Sequence, residues 1–189
     1  MHNRACYDPV PVMPTLETER LTLRTWKLDD FEQFAAIHAD PEVMQFISID
    51  GRPLSRYFAW QGFCAVIGHW QLRGYGMFAV IERTSGELVG RVGPWYPEGW
   101  PEFEVGWTIG RKFWGQGYAT EAAAKCAEFA FTELNRTHLV SFIDPKNVRS
   151  IRVAERLGER FQHETALPHV PDRPVLQYGM SKEDWRRAG

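Results

Sequence analysis

Residues 104–122 read EVGWTIGRKFWGQGYATEA, an alternating strand that runs through a glycine loop into a helix. Gly115 and Gly117 allow a positive φ and let the backbone approach a ligand closely. The first turn of the following helix leaves N–H groups unpaired, and the helix dipole makes that end positive. Together with the charges of Arg111 and Lys112, this stretch predicts a seat for a phosphate or pyrophosphate.

The loop does not match two common phosphate-binding motifs. No Gly-Lys-Ser/Thr follows at the spacing of a Walker loop, and neither a third glycine nor a following acidic residue completes the dinucleotide fingerprint. The spacing therefore indicates an anion-binding site but does not identify the anion. The alternative is that the two glycines only shape a tight turn.

A second pattern surrounds the helix that follows the apolar, β-branched segment 137–143. Asn147 is a favoured N-cap, Gly158 is a favoured left-handed C-terminal residue, and Ser150 lies one turn into the helix. Helix capping alone explains Asn147. Ser150 has no histidine or aspartate placed to make it a hydrolase nucleophile, and no Gly-x-Ser-x-Gly elbow surrounds it.

Periodicity along the chain predicts one α/β domain over residues 15–189, preceded by a flexible arm over residues 1–14. The element order is a strand, helices, three antiparallel strands, and then α, β, α, β, β, which gives a mixed sheet with helices on both sides. The predicted strands cover residues 19–25, 76–82, 87–92, 103–109, 137–143, 161–165 and 175–181. The predicted helices cover residues 29–39, 55–72, 117–134 and 147–157, with a short one after Asp40. The proline-containing segments 93–101 and 168–174 are predicted to be loops.

Composition excludes several classes of protein. The 189 residues carry 22 basic and 24 acidic side chains, a net charge of -2, which excludes a strongly basic nucleic-acid binder. No apolar run approaches the ~20 residues of a membrane helix. Cys6, Cys64 and Cys126 match neither a zinc spacing nor a redox pair, so we expect no metal and a cytoplasmic location. Cys126, in an alanine-rich run, is expected to be buried.

Several short segments occur in the order and spacing of a known family. They are residues 18–24, 104–109 and 114–122, the pair Asn147 and Ser150, and Leu157-Gly158. On these segments the chain resembles the GNAT acyltransferase superfamily over residues 18–185, and within it the branch that acetylates N-terminal α-amines of ribosomal proteins. The resemblance implies a mostly antiparallel sheet in which the strand at 104–109 splays from a parallel neighbour at 137–143.

The resemblance also implies acetyl-CoA as the cosubstrate, with its pantetheine arm in the gap between the splayed strands and its pyrophosphate on the glycine loop. The implied cofactor-binding residues are Trp107, Thr108, Ile109, Lys112, Phe113, Trp114, Gly115, Gln116, Gly117, Tyr118, Ala119, Thr120, Asn147 and Ser150. The family usually has Arg or Gln at the place of Lys112. A lysine there keeps the positive charge of an arginine and loses its bidentate fork.

The implied reaction is direct attack of a primary amine on the thioester in a ternary complex, without an acyl-enzyme. Glu104 is the implied base, acting directly or through water, and a half-exposed Glu104 in an ion pair is the alternative. Ser150 is the implied group at the thioester sulfur, because Ala154 stands where many relatives have a tyrosine. Backbone N–H groups at the splay would stabilise the oxyanion.

The sequence leaves two alternatives for the acetyl acceptor, a small-molecule amine and a peptide N-terminus. Neither a nucleic acid nor a membrane is expected as a partner, and the chain is expected to be a monomer or a homodimer. Residues 43–70, with Trp60 and Phe63, and residues 94–101 are expected to border the acceptor. A coenzyme A-binding sensor that has lost catalysis is the alternative function.

One position departs from the family pattern. After Leu157-Gly158, where relatives usually carry an aromatic residue, this chain has Glu159. Phe161 is expected to take the place of that aromatic, with a shift in the register of the next strand.

Overall fold

One sheet extends through residues 13–188, the part of the chain that this computed structural model describes. Its strands are β1 Leu16–Glu17, β2 Leu21–Arg24, β3 Phe78–Glu82, β4 Leu88–Trp95, β5 Glu104–Ile109, β6 His138–Ile143, β7 Arg160–Leu167 and β8 Val170–Ser181. They lie side by side in the order β1-β2-β3-β4-β5-β6-β8-β7. The arm predicted over residues 1–14 lies almost wholly outside the described residues.

The sheet separates between β5 and β6. Every other neighbouring pair of strands is antiparallel, whereas β5 and β6 are parallel and pair only at Glu104 and Val140. The amide of Val140 donates to the carbonyl of Phe103 at 3.0 Å. Beyond this point the two strands diverge, so the mostly antiparallel sheet with a splayed parallel pair is confirmed.

Helices cover both faces of the sheet, as predicted. The α-helices of the described residues are α1 Phe31–His38, α2 Pro41–Met44, α3 Arg56–Arg73, α4 Tyr118–Thr132, α5 Val148–Leu157 and α6 Lys182–Ala188. The alanines of α4 and the fully buried Cys126 pack on Val89 and Val105 on one face, and Phe34 and Phe63 cover the other. Among residues 13–188, no helix has both the length and the apolar character needed to cross a membrane.

Local capping explains where several helices begin and end. The side chain of Asn147 accepts a hydrogen bond from the amide of Ser150 at 3.2 Å, and Gly158 ends α5 with a φ of 89°. Asp30 holds the N-cap position of α1, but its side chain makes no capping hydrogen bond. The carboxylate of Asp30 instead pairs with Arg24 at 2.7 Å and accepts from the amide of Lys27.

Both predicted loops are partly strand: residues 93–95 of the first and residues 170–174 of the second. β4 continues to Trp95, and β7 and β8 form a long hairpin that includes Pro171 and Pro174. A proline cannot donate to a ladder, but β8 pairs with β6 only from Leu176 onward. The proline positions therefore have a strand on one side only, where a missing N–H is tolerated.

Candidate active site

A large cleft of about 800 Å³ opens between β5, the loop that follows it, and helices α4 and α5. All predicted cofactor-binding residues except Lys112 and Gln116 line it. These lining residues are Trp107, Thr108, Ile109, Phe113, Trp114, Gly115, Gly117, Tyr118, Ala119, Thr120, Asn147 and Ser150. The fold therefore brings most of the predicted set together around one space, and their contact with acetyl-CoA stays a prediction.

Two glycines shape the loop at the large cleft. Gly115 and Gly117 have φ values of 78° and 81°, the left-handed region that glycine adopts without steric cost. A Cβ at Gly115 would meet no atom within 4 Å, and one at Gly117 would lie 3.5 Å from Nη2 of Arg20. Backbone conformation rather than crowding therefore requires glycine at both positions.

Arg20 holds this loop from the beginning of the sheet. Its guanidinium contacts the carboxylate of Glu121 at 2.5 Å and donates to the carbonyl of Gln116 at 2.9 Å. The hydroxyl of Thr18 also donates to Glu121, at 2.6 Å. Because Glu121 lies in the first turn of α4, its pairing with Arg20 offsets a negative charge that would otherwise repel an anion at the helix N-terminus.

The cations of the large cleft come mainly from α5. Arg111 pairs with Asp40 and Glu42, and Lys112 pairs with Glu87 at 2.5 Å. Both cations that the sequence predicted beside the phosphate site therefore already have carboxylate partners. The cations that line the cleft without a salt-bridge partner among residues 13–188 are Lys146, Arg149, Arg152 and Arg156. Their charge makes this side of the cleft suited to phosphate groups.

A small cavity of about 240 Å³ adjoins the large cleft and is lined by residues of both β5 and β6. Six residues line both spaces: Phe46, Ile47, Trp107, Thr108, Asn147 and Ser150. The walls of the small cavity also include Ile49, Trp95, Trp100, Glu104, Ser141 and His169. The two spaces therefore meet at the point where β5 and β6 diverge.

The junction of the two spaces has an ordered hydroxyl. Nε1 of Trp107 donates to Oγ of Ser150 at 3.2 Å, across the gap between β5 and α5. Because this bond uses the oxygen of Ser150 as an acceptor, the hydroxyl proton is available to a group at the junction. Ala154, one turn further along α5, is fully buried against Ile143 and Tyr178 and contributes no polar group.

Glu104 projects from β5 into the small cavity. It is 8% exposed and has no salt-bridge partner among residues 13–188, so it is not the half-exposed, ion-paired residue of the alternative. Nε1 of Trp100 donates to its carboxylate at 2.8 Å. Burial raises the pKa of Glu104 to about 7, against the opposing effects of Trp100, the backbone of Phe142 and the charge of Arg91. A carboxyl with such a pKa can exchange a proton with an amine near neutral pH.

A second buried carboxyl, Glu159, lies behind the cavity wall. The hydroxyl of Ser141 lies 2.8 Å from the carbonyl oxygen of Val105 and 3.0 Å from Oε1 of Glu159. A serine hydroxyl has one proton and a carbonyl only accepts, so Ser141 donates to Val105 and Glu159 must donate to Ser141. Glu159 is therefore a neutral acid, which agrees with the effect of burial in raising its pKa to about 8.

The place of Glu159 overturns one expectation. Phe161 is 54% exposed and packs on Tyr178, so it does not replace the missing aromatic in the interior. Glu159, 3% exposed, occupies the buried position itself. A register irregularity between Phe161 and His163 leaves the aromatic side chain outside.

The aromatic residues of the small cavity are only partly those expected. Phe63 is 1% exposed in the core, and Trp60 packs edge-on against Phe31, so neither lines the cavity. Trp95 and Trp100 do line it, as does Phe46. Phe46 falls within the predicted segment 43–70, but no periodicity distinguishes it from its neighbours.

The cations of α5 could have been found from the sequence. Arg149, Arg152 and Arg156 follow one another at intervals of three and four residues, which places them on one face of a helix. Arg91, which lines the small cavity from β4, had no such signal, because it lies inside a strand whose faces the sequence did not resolve. Among residues 13–188, no group of three His, Cys, Asp or Glu side chains is arranged to hold a metal ion.

Comparisons with known proteins agree with this geometry. Residues 20–160 match the family described as an acetyltransferase (GNAT) domain. The chain is 32% identical to the uncharacterized N-acetyltransferase p20 of Bacillus licheniformis, over 82% of this chain and 86% of that protein. It is 28% identical to the FsC-acetyl coenzyme A-N(2)-transacetylase of Aspergillus fumigatus, over 94% of this chain and 80% of that protein.

A solved structure gives the same result. The crystal structure of an acetyltransferase from Agrobacterium tumefaciens is similar with a TM-score of 0.79 and 31% identity, over 96% of this chain and 100% of that chain. The resemblance to the superfamily is therefore confirmed by sequence and by fold. The splayed strands, the glycine loop and these similarities lead to one conclusion: the chain belongs to the GNAT family of acetyl-CoA-dependent N-acetyltransferases.

Proposed function

We propose that the protein transfers the acetyl group of acetyl-CoA to a primary amine, of a small molecule or of a peptide N-terminus, by direct attack in a ternary complex. The observation that carries the proposal is the junction of the large cleft and the small cavity at Trp107, Thr108, Asn147 and Ser150. A coenzyme in the cleft with its thioester at this junction would face an amine in the cavity. Direct attack requires this simultaneous binding of both substrates.

Glu104 is the proposed base. An amine must be neutral to attack, and Glu104 lies in the same cavity with a carboxyl that ionises near neutral pH. As the C–N bond forms, the amine proton passes to Glu104, directly or through water. Because only the ionised carboxylate accepts this proton, activity is expected to rise with pH through about 7.

Ser150 is the proposed partner of the leaving thiolate. When the C–S bond breaks, the sulfur takes the electron pair and needs a hydrogen-bond donor. The bond from Trp107 leaves the proton of the Ser150 hydroxyl free to point at that sulfur. We assign Ser150 the stabilisation of the thiolate, which then takes its proton from solvent, and backbone N–H groups at the splay the stabilisation of the oxyanion.

The Glu104→Gln substitution tests the role of the base. It keeps the shape of the side chain and removes the proton acceptor, so kcat/KM should fall by about 10²- to 10⁴-fold. The rise of activity through pH 7 should disappear, and the Kd for coenzyme A should stay unchanged. Release of the thiol from acetyl-CoA with a panel of amines and peptides measures the rates, and calorimetry measures the affinity.

Glu133→Gln is the matched control, since Glu133 is exposed at the far end of α4. It should leave the rates, the pH profile and the affinity unchanged. If Glu104→Gln keeps full turnover and the wild-type pH profile, Glu104 is not the base. If the wild type binds coenzyme A tightly and acetylates no amine of the panel, the sensor function replaces the proposed one.

A further inference from the structure

Arg91 places an unpaired cation in the wall of the small cavity. Its only side-chain hydrogen bond to residues 13–188 runs from Nε to Oγ1 of Thr108, at 3.4 Å, and no carboxylate among them lies within salt-bridge distance. Burial lowers the pKa of Arg91 to about 10, partly offset by the charge of Glu104. Arg91 is half-buried, so its guanidinium keeps only part of its hydration, and an anion bound in front of it would supply the ionic partner that it lacks.

The other charged and titratable groups around the cavity either contact neighbouring residues or are neutral. Arg173 contacts Asp144 at 2.8 Å and donates to the carbonyl of Ser48 at 2.5 Å. Glu104 accepts from Trp100. His38, which faces Arg91, is neutral, because burial and the Arg91 charge lower its pKa to about 3. His169 stacks on the ring of Trp100. Of the two arginines that line this cavity, Arg91 is therefore the one without a salt-bridge partner among residues 13–188.

A trough runs from Arg91 to Glu104 across two strands. Arg91 lies opposite Thr108, Gly93 opposite Gly106, and Trp95 opposite Glu104, so these residues share one face of β4 and β5. A Cβ at Gly106 would lie 3.2 Å from Oε1 of Glu104 and 3.0 Å from Cε of Met77. The paired glycines therefore make room for Met77 and for the carboxylate of Glu104, and Met77 lines the trough between the cation and the proposed base.

The dimensions of this space favour a small molecule. The cavity measures about 240 Å³, less than the ~300–1,000 Å³ of common ligand pockets. Four residues along a strand separate the positions of Arg91 and Glu104, about 13 Å between backbones, and both side chains extend into the trough. Trp95 and Phe46 supply apolar walls.

We propose that the acceptor is a small amine that also carries a carboxylate, such as an amino acid with an apolar side chain, with the carboxylate bound by Arg91 and the amine directed to Glu104. This inference rests on the proposed function and deepens it, because it selects one class among the primary amines. Guanidinium and carboxylate match in a bidentate geometry that a neutral amine cannot offer.

Matched pairs of substrates test the proposal in the wild type. Phenylalanine and phenethylamine, and tryptophan and tryptamine, differ only in the carboxylate. We expect kcat/KM to be at least about tenfold higher for the amino acid of one or more pairs. In the presence of coenzyme A, N-acetylphenylalanine should bind more tightly than N-acetylphenethylamine, a readout that needs no turnover.

Substitution of Arg91 assigns the preference to one residue. Arg91→Gln should remove the advantage of the amino acid, chiefly through KM. Because loss of the Arg91 charge also raises the pKa of Glu104, the two members of a pair are compared well above pH 7, where Glu104 is ionised in both proteins. Arg91→Lys should retain part of the advantage, because it keeps the charge without the fork. Arg187→Gln, on the exposed face of α6, is the matched control and should change neither member of the pair. Thermal unfolding and coenzyme affinity of each variant check that it is folded.

Three outcomes would overturn the inference. Equal rates for the two members of every pair, with equal binding of the two acetylated products, would show that the carboxylate is not recognised. An equal loss for both members in a folded Arg91→Gln protein would show that Arg91 serves structure only. Efficient acetylation of neutral amines and peptides alone would overturn this inference and leave the proposed function standing, whereas tighter binding of N-acetylphenylalanine without any turnover would overturn only the proposed function.

Discussion

The large cleft and the small cavity meet at Trp107, yet different kinds of chain segment line them. The cleft is lined by short runs of neighbouring residues, chiefly the glycine loop and helix start within residues 107–120 and the cations within residues 146–156, with a third run at residues 42–47. The cavity is formed by side chains from segments far apart in sequence, such as Phe46, Trp100 and Arg173. The difference explains why the first site could be read locally and the second could not.

The largest expected effect tests the backbone of the large cleft. Gly117→Val forces a β-branched residue to a φ of 81°, at a cost of ~1–3 kcal/mol, and places methyl groups where phosphates are expected to lie. We expect the Kd for coenzyme A to rise by about 100-fold, measured by calorimetry. Unchanged affinity in the folded variant would contradict the proposed phosphate seat.

Gly86→Val is the control for backbone strain. Gly86 has a φ of 73° in the turn between β3 and β4, and a Cβ there meets nothing within 4 Å. This variant should lose stability in the same range and bind coenzyme A with wild-type affinity. A loss of affinity in both variants would indicate general destabilisation.

A smaller effect on coenzyme binding distinguishes Arg152, which lines the large cleft, from Lys112, which lies beside the cleft. Arg152 lines the cleft without a salt-bridge partner among residues 13–188, whereas Lys112 lies outside the lining and pairs with Glu87. Arg152→Gln should weaken coenzyme binding about fivefold, the value of an exposed ionic contact near 1 kcal/mol, and should reduce its dependence on salt. Lys112→Gln should change the Kd by less than about twofold. The reverse order would place the phosphates beside Lys112.

Much of the fold was predictable because its signals are local. Alternation, caps and glycines lie within a few residues of the structure they determine, as Asn147 and Gly158 do for α5. The loops predicted at the prolines were too long, for a physical reason. Whether Pro171 can lie in a strand depends on which neighbour that strand has, and this follows from the order of the sheet.

The candidate site was predictable only in part for the same reason. Glu104 and Ser150 lie in recognisable segments, but the bond from Trp107 to Ser150 joins residues 43 positions apart. Lys112 lies next to the glycine loop in sequence, yet its side chain pairs with the carboxylate of Glu87, 25 residues earlier in the chain. Such pairings depend on the path of the whole chain, which no local pattern contains.

The smallest effect concerns the wall of the small cavity, where the carboxyl of Glu159 contacts the hydroxyl of Ser141. The pKa of Glu159 is raised to about 8 by burial, above the ordinary value of a free glutamate. The stabilisation from the neutral acid is therefore fully present below about pH 4.5 and is lost as the pH rises through about 8.

Glu159→Gln keeps a donor for Ser141 and cannot ionise. We expect the variant to be more stable than the wild type at pH 9, by on the order of 1 kcal/mol, and less sensitive to pH between 5 and 9 in urea unfolding. Glu164→Gln, at an exposed position of β7, the strand that follows Glu159, should keep the wild-type slope. A wild-type slope in Glu159→Gln as well would mean that Glu159 is already ionised, and Ser141 would then have to give its single proton to the carboxylate and leave Val105 unbonded.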